Sequence, residues 1–343
     1  MSHDESRYPH SPDVHERKTA DGGFSDGWGM HFRPSESYLI DVHTHLRAPS
    51  AEVMLKLVQE WHGRMYAHRL MRHVALDGRP DTLDKFAPTV RFDSRLQFLF
   101  WMDHDKADAD MVGKAKAQGA IGLKMHNYPL MVGGIDPAVY ASPAWKEVFR
   151  ACAMHKMPVL WHVTQRYTTS PYTGGGHMSY WKNQPHFDWS DLSKIRHGNR
   201  EQLAVFESSM AAHRDVAFIG AHALHVGYPK LAELCARHAN FHYDLFCAGF
   251  VRYGDRILPD DADYIRAQLI SHSDRVLFGT DCVIEPNVNW HLLSEHFLGH
   301  VRYLRELALP DDVLQKISHG NCERLYGLEP MKLNPSTWGA LRP

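Results

Sequence analysis

Five short apolar runs punctuate the chain, and each leads into a residue able to bind a metal or move a proton. Tyr38-Leu39-Ile40 runs into Asp41-Val42-His43-Thr44-His45, Ala120-Ile121-Gly122-Leu123 into Lys124, and Pro158-Val159-Leu160-Trp161 into His162. Val216 to Ala221 leads to His222, and Val276-Leu277-Phe278-Gly279-Thr280 to Asp281. Apolar runs of this length, bounded by polar or turn residues, suit strands buried on both faces, as in a parallel sheet. The reactive side chains then gather at the C-terminal ends of the strands.

Between the runs the apolar spacing becomes helical, so the chain reads as repeated βα units. Helices are predicted over Ala51–Met71, Ala107–Gln118, Pro143–His155, Arg200–His213, Pro229–His238, Asp261–Ser271, Asn289–Leu307 and Asp311–Tyr326. Further strands are predicted at Leu96–Met102 and Phe241–Phe246, which makes seven. The second strand of an eightfold barrel has no clear signal, and His73-Val74-Ala75-Leu76 is its candidate.

At 343 residues the chain can bury one large core, and length alone suits a single α/β barrel with insertions as well as two ordinary domains. Its 38 basic and 40 acidic residues leave a net charge of −2, which gives no electrostatic case for a nucleic-acid partner. No apolar stretch approaches the roughly 20 residues of a spanning helix, so no membrane partner is expected. Residues 1–36 are polar, with no signal-peptide core, and read as an N-terminal arm; residues 37–330 read as the barrel and 331–343 as a tail. Five scattered cysteines without a Cys-x-x-Cys pair imply no disulfide framework and a cytoplasmic location. Cys282, beside Asp281, reads as a small buried residue.

In a strand, alternate residues face one side, so His43 and His45 point together and can grip one cation. That pair carries little weight alone, because 26 histidines in 343 residues give about two His-x-His pairs by chance. The ordered series carries more: His-x-His, Gly-x-Lys, apolar-His, apolar-His, Gly-Thr-Asp, then Ile317-Ser318-His319-Gly320-Asn321-Cys322-Glu323-Arg324-Leu325-Tyr326. From about Tyr38 to Gly327 this order resembles the amidohydrolase superfamily, in its amidohydrolase-related branch with metal-dependent hydrolases and aminocarboxymuconate-semialdehyde decarboxylase. The resemblance implies a distorted (β/α)8 TIM barrel, with a long loop insertion after strand 5 and the chemistry at its C-terminal mouth.

By that resemblance His43, His45, His162 and Asp281 are the metal ligands. Three imidazoles and a carboxylate suit zinc, with manganese or another first-row ion as the alternative. A water at the open position, its pKa lowered towards about 7, becomes the nucleophile. Asp281 then relays its proton as one catalytic residue. His222, the other, polarises a substrate carbonyl or stabilises developing charge.

Lys124 marks a fork: in the binuclear relatives a lysine here is carboxylated and bridges two metals, whereas many members of the related branch keep it plain. A single metal and a charged, substrate-binding Lys124 is the reading adopted, against a lysine that merely extends out of the barrel mouth. His126 and His225 lie near the same rim and are assigned to substrate binding or to support of the ligands. Roughly fifty residues separate His162 from the strand that ends at His222, so residues 164–199 form an elaborated loop. Arg166, Tyr167 and Trp181, around Gly174-Gly175-Gly176, suit a lid over a planar, anionic or aromatic substrate. The same composition suits a subunit interface, and a homo-oligomer, dimer or higher, is expected. The function expected first is metal-dependent hydrolysis of a lactone, ester or amide of a small molecule; the alternative is non-oxidative decarboxylation of an aromatic or unsaturated carboxylic acid, and a catalytically silent metal-binding scaffold comes third.

Overall fold

A computed structural model describes residues 38–164, 196–226, 228–245 and 259–331, with the two-residue strands Arg17–Lys18, Phe24–Ser25 and His31–Phe32 before them. Those three short strands pair antiparallel in a small sheet of their own. The rest is built on one parallel nine-stranded sheet. Its strands are β1 (Leu39–Leu46), β2 (Leu70–Gly78), β3 (Leu96–Trp101), β4 (Gly122–His126), β5 (Val159–His162), β6 (Phe218–Gly220), β7 (Phe241–Leu245), β8 (Val276–Phe278) and β9 (Cys282–Ile284).

Neighbours pair in chain order from β1 to β8, and β9 pairs with β1 on its other side. β8 and β9 are two halves of one interrupted strand, so the sheet curls round until its ends meet. Between the halves the Asp281 amide donates to the His43 carbonyl at 2.7 Å. The fold is a distorted TIM barrel, as the sequence predicts. β2 contains the candidate His73–Leu76 segment.

Three elements differ from the reading of the sequence. The first helix stops at Met65, and a 3-10 turn over Tyr66–His68 ends at Arg69 in the left-handed region (φ 63°), which frees Leu70 onward for β2. A helix at Leu83–Phe92 was not anticipated, because Pro88 inside it reads as a breaker; a proline costs a helix one backbone hydrogen bond. The predicted C-terminal helix is divided by a π turn at Lys316–Gly320. That turn stacks His319 on Tyr38, and it lets the Asn321 side chain donate to the carbonyls of Ser273 and Val276 where β8 begins.

The helix starts are set by local chemistry. Ser50, Asp108, Ser142 and Asn289 each accept an amide from the first turn of the helix that follows. The inward faces of the strands fill the barrel with Ile40, Val42, Val74, Leu76, Leu99, Leu160, Ile219 and Leu277. Cys322 and Tyr326 close the N-terminal end, and a Cβ on Gly122 would meet the Tyr326 ring at 3.0 Å. A second apolar layer packs between sheet and helices. With the lower barrel solid, only the C-terminal mouth is left for chemistry.

Candidate active site

His43 and His45 leave β1 on the same side, next to a break in strand register between Asp41 and Thr44. Each ring has its outer nitrogen fixed by a carboxylate from a neighbouring strand. His43 Nδ1 donates to Asp244 at the end of β7 at 2.6 Å, and His45 Nδ1 lies 3.0 Å from Asp77 on β2. Such partners set the tautomer of the neutral ring, in which the Nε2 lone pair faces inward.

Asp281 meets them from the gap between β8 and β9. It sits at φ 58°, a strained conformation for a residue other than glycine. Asp41, fully buried, holds this turn by accepting the Thr280 hydroxyl at 2.5 Å and the Thr280 amide at 3.1 Å. The Thr280 amide is thus satisfied by a side chain, not by a ladder partner, and the predicted strand is interrupted there.

Asp281 Oδ1 lies 3.4 Å from His43 Nε2 and 3.3 Å from His45 Nε2. A tetrahedral ion with bonds of roughly 2.0–2.1 Å holds its ligand atoms about 3.3 Å apart, so these three atoms fit a divalent metal. Burial alone would raise the Asp281 pKa, but hydrogen bonds from His43 and His45 and their charge hold it well below the carboxylate range. Burial opposes a charged His43, yet the Asp244 carboxylate beside it raises its pKa to about 9. A cation at Nε2 competes with that proton.

A second histidine group stands beside the first. The His222 ring lies 4.5 Å from that of His43 and 4.6 Å from that of His162, and His225 stacks on His222 at 4.9 Å. Ligand atoms of His162, His222 and His225 lie within 4.8 Å of one another. His162 therefore groups with His222 and His225, and among the described residues no such group contains all of His43, His45, His162 and Asp281. Burial, reinforced by neighbouring imidazoles, pushes the pKa of His162 and of His222 well below normal, so both are neutral.

The backbone that presents this group is unusual. His222, Ala223, Leu224 and His225 have φ of 57°, 48°, 56° and 48°, one left-handed turn that costs roughly 1–2 kcal/mol per residue. It is held by Asp244, which accepts the His222 amide at 2.6 Å, and by the Thr164 hydroxyl, which donates to the Leu224 carbonyl. Gly220 lets Leu224 fold back: a Cβ there would lie 2.6 Å from its side chain.

On the opposite wall Lys124 is 1% exposed, and its ammonium makes no hydrogen bond or ion pair among the described residues. Burial lowers its pKa to about 8. Its ammonium lies 5.9 Å from the centre of the Trp101 indole, the Arg79 guanidinium 4.1 Å from it, and Asp103 ties Arg79 and Trp101 together. His126 stacks on Trp101 at 5.7 Å and accepts the Tyr128 amide. Arg166, Tyr167 and Trp181, with most of the 164–199 loop, lie outside the described residues.

Asp77, Asp244, Trp101 and Arg79 were not singled out from the sequence. Asp244 had a signal, since Phe241-His242-Tyr243 is a strand run that leads into a carboxylate in the manner of the other five. Among the described residues no helix is long and apolar enough to cross a membrane.

The fold and site define a parallel α/β barrel with a histidine–carboxylate centre at its C-terminal mouth. The sequence profile of the family described as Amidohydrolase matches residues 40–328, and the chain belongs to that family. No curated protein sequence matches it. Solved structures with the same fold include a probable 2-pyrone-4,6-dicarboxylic acid hydrolase from Acinetobacter baumannii, at TM-score 0.53 and 13% identity over 85% of this chain and 100% of that one. A dihydroorotase from Campylobacter jejuni gives 0.54 and 15% over 88% of each chain. A 5-carboxyvanillate decarboxylase from Sphingomonas paucimobilis gives 0.54 and 12% over 85% and 99%. At these identities the likeness concerns the fold.

Proposed function

We propose that the protein is a metal-dependent hydrolase acting on a lactone, ester or amide bond of a small anionic or aromatic substrate. The observation that carries this reading is the convergence of His43 Nε2, His45 Nε2 and Asp281 Oδ1 at the spacing of a coordination sphere. His162 is the expected fourth ligand, and zinc the expected ion. The bound ion supplies Lewis acidity and brings a water towards ionisation near neutral pH.

The chain's own residues do the rest. Asp281, kept ionised, takes the proton of the attacking water on its free oxygen and passes it to the leaving group. His222, kept neutral, donates a hydrogen bond to the carbonyl oxygen as charge develops there, and a neutral imidazole gives up no proton in doing so. Lys124 holds a substrate carboxylate: a buried ammonium lacking a partner is costly, and an anion relieves it. Trp101 offers a flat wall beside it, with Arg79 at the rim.

The Lys124 pocket also favours a second reading, non-oxidative decarboxylation of an aromatic or unsaturated acid, with the same ligands orienting the acid and His222 or Asp281 delivering a proton to carbon. Metal analysis followed by a panel of lactones, esters, amides and carboxylic acids tests both. Base uptake during lactone or ester turnover, or amine release from an amide, supports the hydrolase, and CO2 release supports the decarboxylase. Stoichiometric metal with no turnover across the panel refutes both and leaves a scaffold.

A further inference from the structure

Asp244 is fully buried at the C-terminal end of β7, and its two oxygens serve different parts of the mouth. Oδ2 takes the Nδ1 proton of His43, and Oδ1 takes the backbone amide of His222, each at 2.6 Å. The structure assigns Asp244 as a positioning residue that couples the two histidine groups: one carboxylate aims His43 at the metal and anchors the left-handed turn that presents His222 and His225. Gly279 permits this from the far side, because a Cβ there would come within 3.0 Å of the His43 Cβ and 3.2 Å of the Asp244 Cβ.

Asp77 is the natural contrast. It also accepts from the Nδ1 of a first-strand histidine, but its other bond goes to the Leu46 amide, on the same strand as His45. Asp77 therefore acts on one group and Asp244 on both. Replacement of Asp244 by asparagine keeps the shape but not the chemistry. An amide has one acceptor oxygen, and both facing groups are donors, so the new NH2 must oppose either the His222 amide or the His43 Nδ1 proton. In the second case His43 moves its proton to Nε2 and loses the lone pair that faces the metal, the wrong-tautomer fault known from catalytic triads.

The metal arm of the test rests on the proposed function; the backbone arm does not. Zinc affinity is measured by chelator competition, and hydrogen exchange of the His222 amide is followed by NMR, for the wild type, Asp244→Asn and Asp77→Asn. Both variants are expected to weaken zinc roughly 10–100-fold, as removal of such partners typically does. Only Asp244→Asn is expected to speed exchange of the His222 amide, at least tenfold, with its neighbours on β6 unchanged. Equal, unchanged His222 exchange in the two variants overturns the coupling. So does a wild-type His222 amide that exchanges as fast as an unprotected peptide, a measurement that stands even if Asp244→Asn fails to fold. A wild type that binds no zinc refutes the metal reading and leaves the exchange result to decide the coupling.

Discussion

His43 and His45 are fixed through their side chains, each by a carboxylate on its outer nitrogen, whereas His222 and His225 are fixed through a strained stretch of backbone. The first arrangement suits metal binding, which needs a set tautomer and a lone pair aimed inward. The second suits a group that must stay neutral and stand close to a reacting atom, since the turn forces the rings inward regardless of their hydrogen bonds. Local strain of this kind collects at functional sites and is balanced by the surrounding fold. Asp244 stands on the boundary between the two arrangements.

The contrast breaks most visibly at Asp281. Asp281→Ala is expected to weaken zinc at least about 100-fold and to reduce turnover by roughly 10⁴, because it removes a ligand and the proton relay together. Equilibrium dialysis and steady-state kinetics measure both, and a variant that keeps tight zinc sinks the ligand assignment. His222→Ala should hold zinc within about threefold of the wild type and lose about 10²–10³ in turnover. Full activity in that variant ends the catalytic role given to His222.

A histidine pair away from the mouth sharpens the comparison. His62 Nε2 accepts from His73 Nδ1 at 2.9 Å in the buried space between the first helix and β2, with Arg95 and Asp93 the charged groups nearby. Burial lowers the His62 pKa to about 4 and that of His73 well below normal. Because the folded pKa lies below the unfolded value near 6.5, the unfolded chain binds more protons between these limits. Stability is therefore full above pH about 6.5 and falls as the pH drops towards 4, by on the order of 3 kcal/mol for His62. Urea titrations across that range check it, and His62→Phe should flatten the slope. The smallest effect is expected from Gly220→Ala, which crowds Leu224 and should cost about 1–3 kcal/mol, lowering Tm by a few degrees while zinc affinity holds. A matching loss of zinc would show that strain in the turn passes through Asp244 to His43 as well.

Much of this was legible in the sequence. Strands buried on both faces announce themselves as unbroken apolar runs, and their C-terminal residues name the site, so His43, His45, Lys124, His162, His222 and Asp281 all fall at one mouth. β2 was harder, since Leu70–Gly78 mixes Arg72, His73 and Asp77 with apolar residues, and the helix pattern before it runs on through Tyr66–His68. The supporting carboxylates were missed for a different reason. Asp77 and Asp244 act through long-range contacts, 32 and 201 residues from their histidines, which no local pattern encodes. Nor does any run of residue types reveal a left-handed turn made without glycine.

The interrupted last strand makes the barrel a hoop with a clasp. Val276–Phe278 holds one end and Cys282–Ile284 the other, and Asp281 sits where the two ends lap over β1. An ion held by Asp281 on one side of that lap and by His43 and His45 on the other would reinforce a closure that the β1–β9 pairing already makes. Where such an ion binds only the closed ring, its occupancy would add to the stability of that closure by mass action, and chelation would withdraw the contribution.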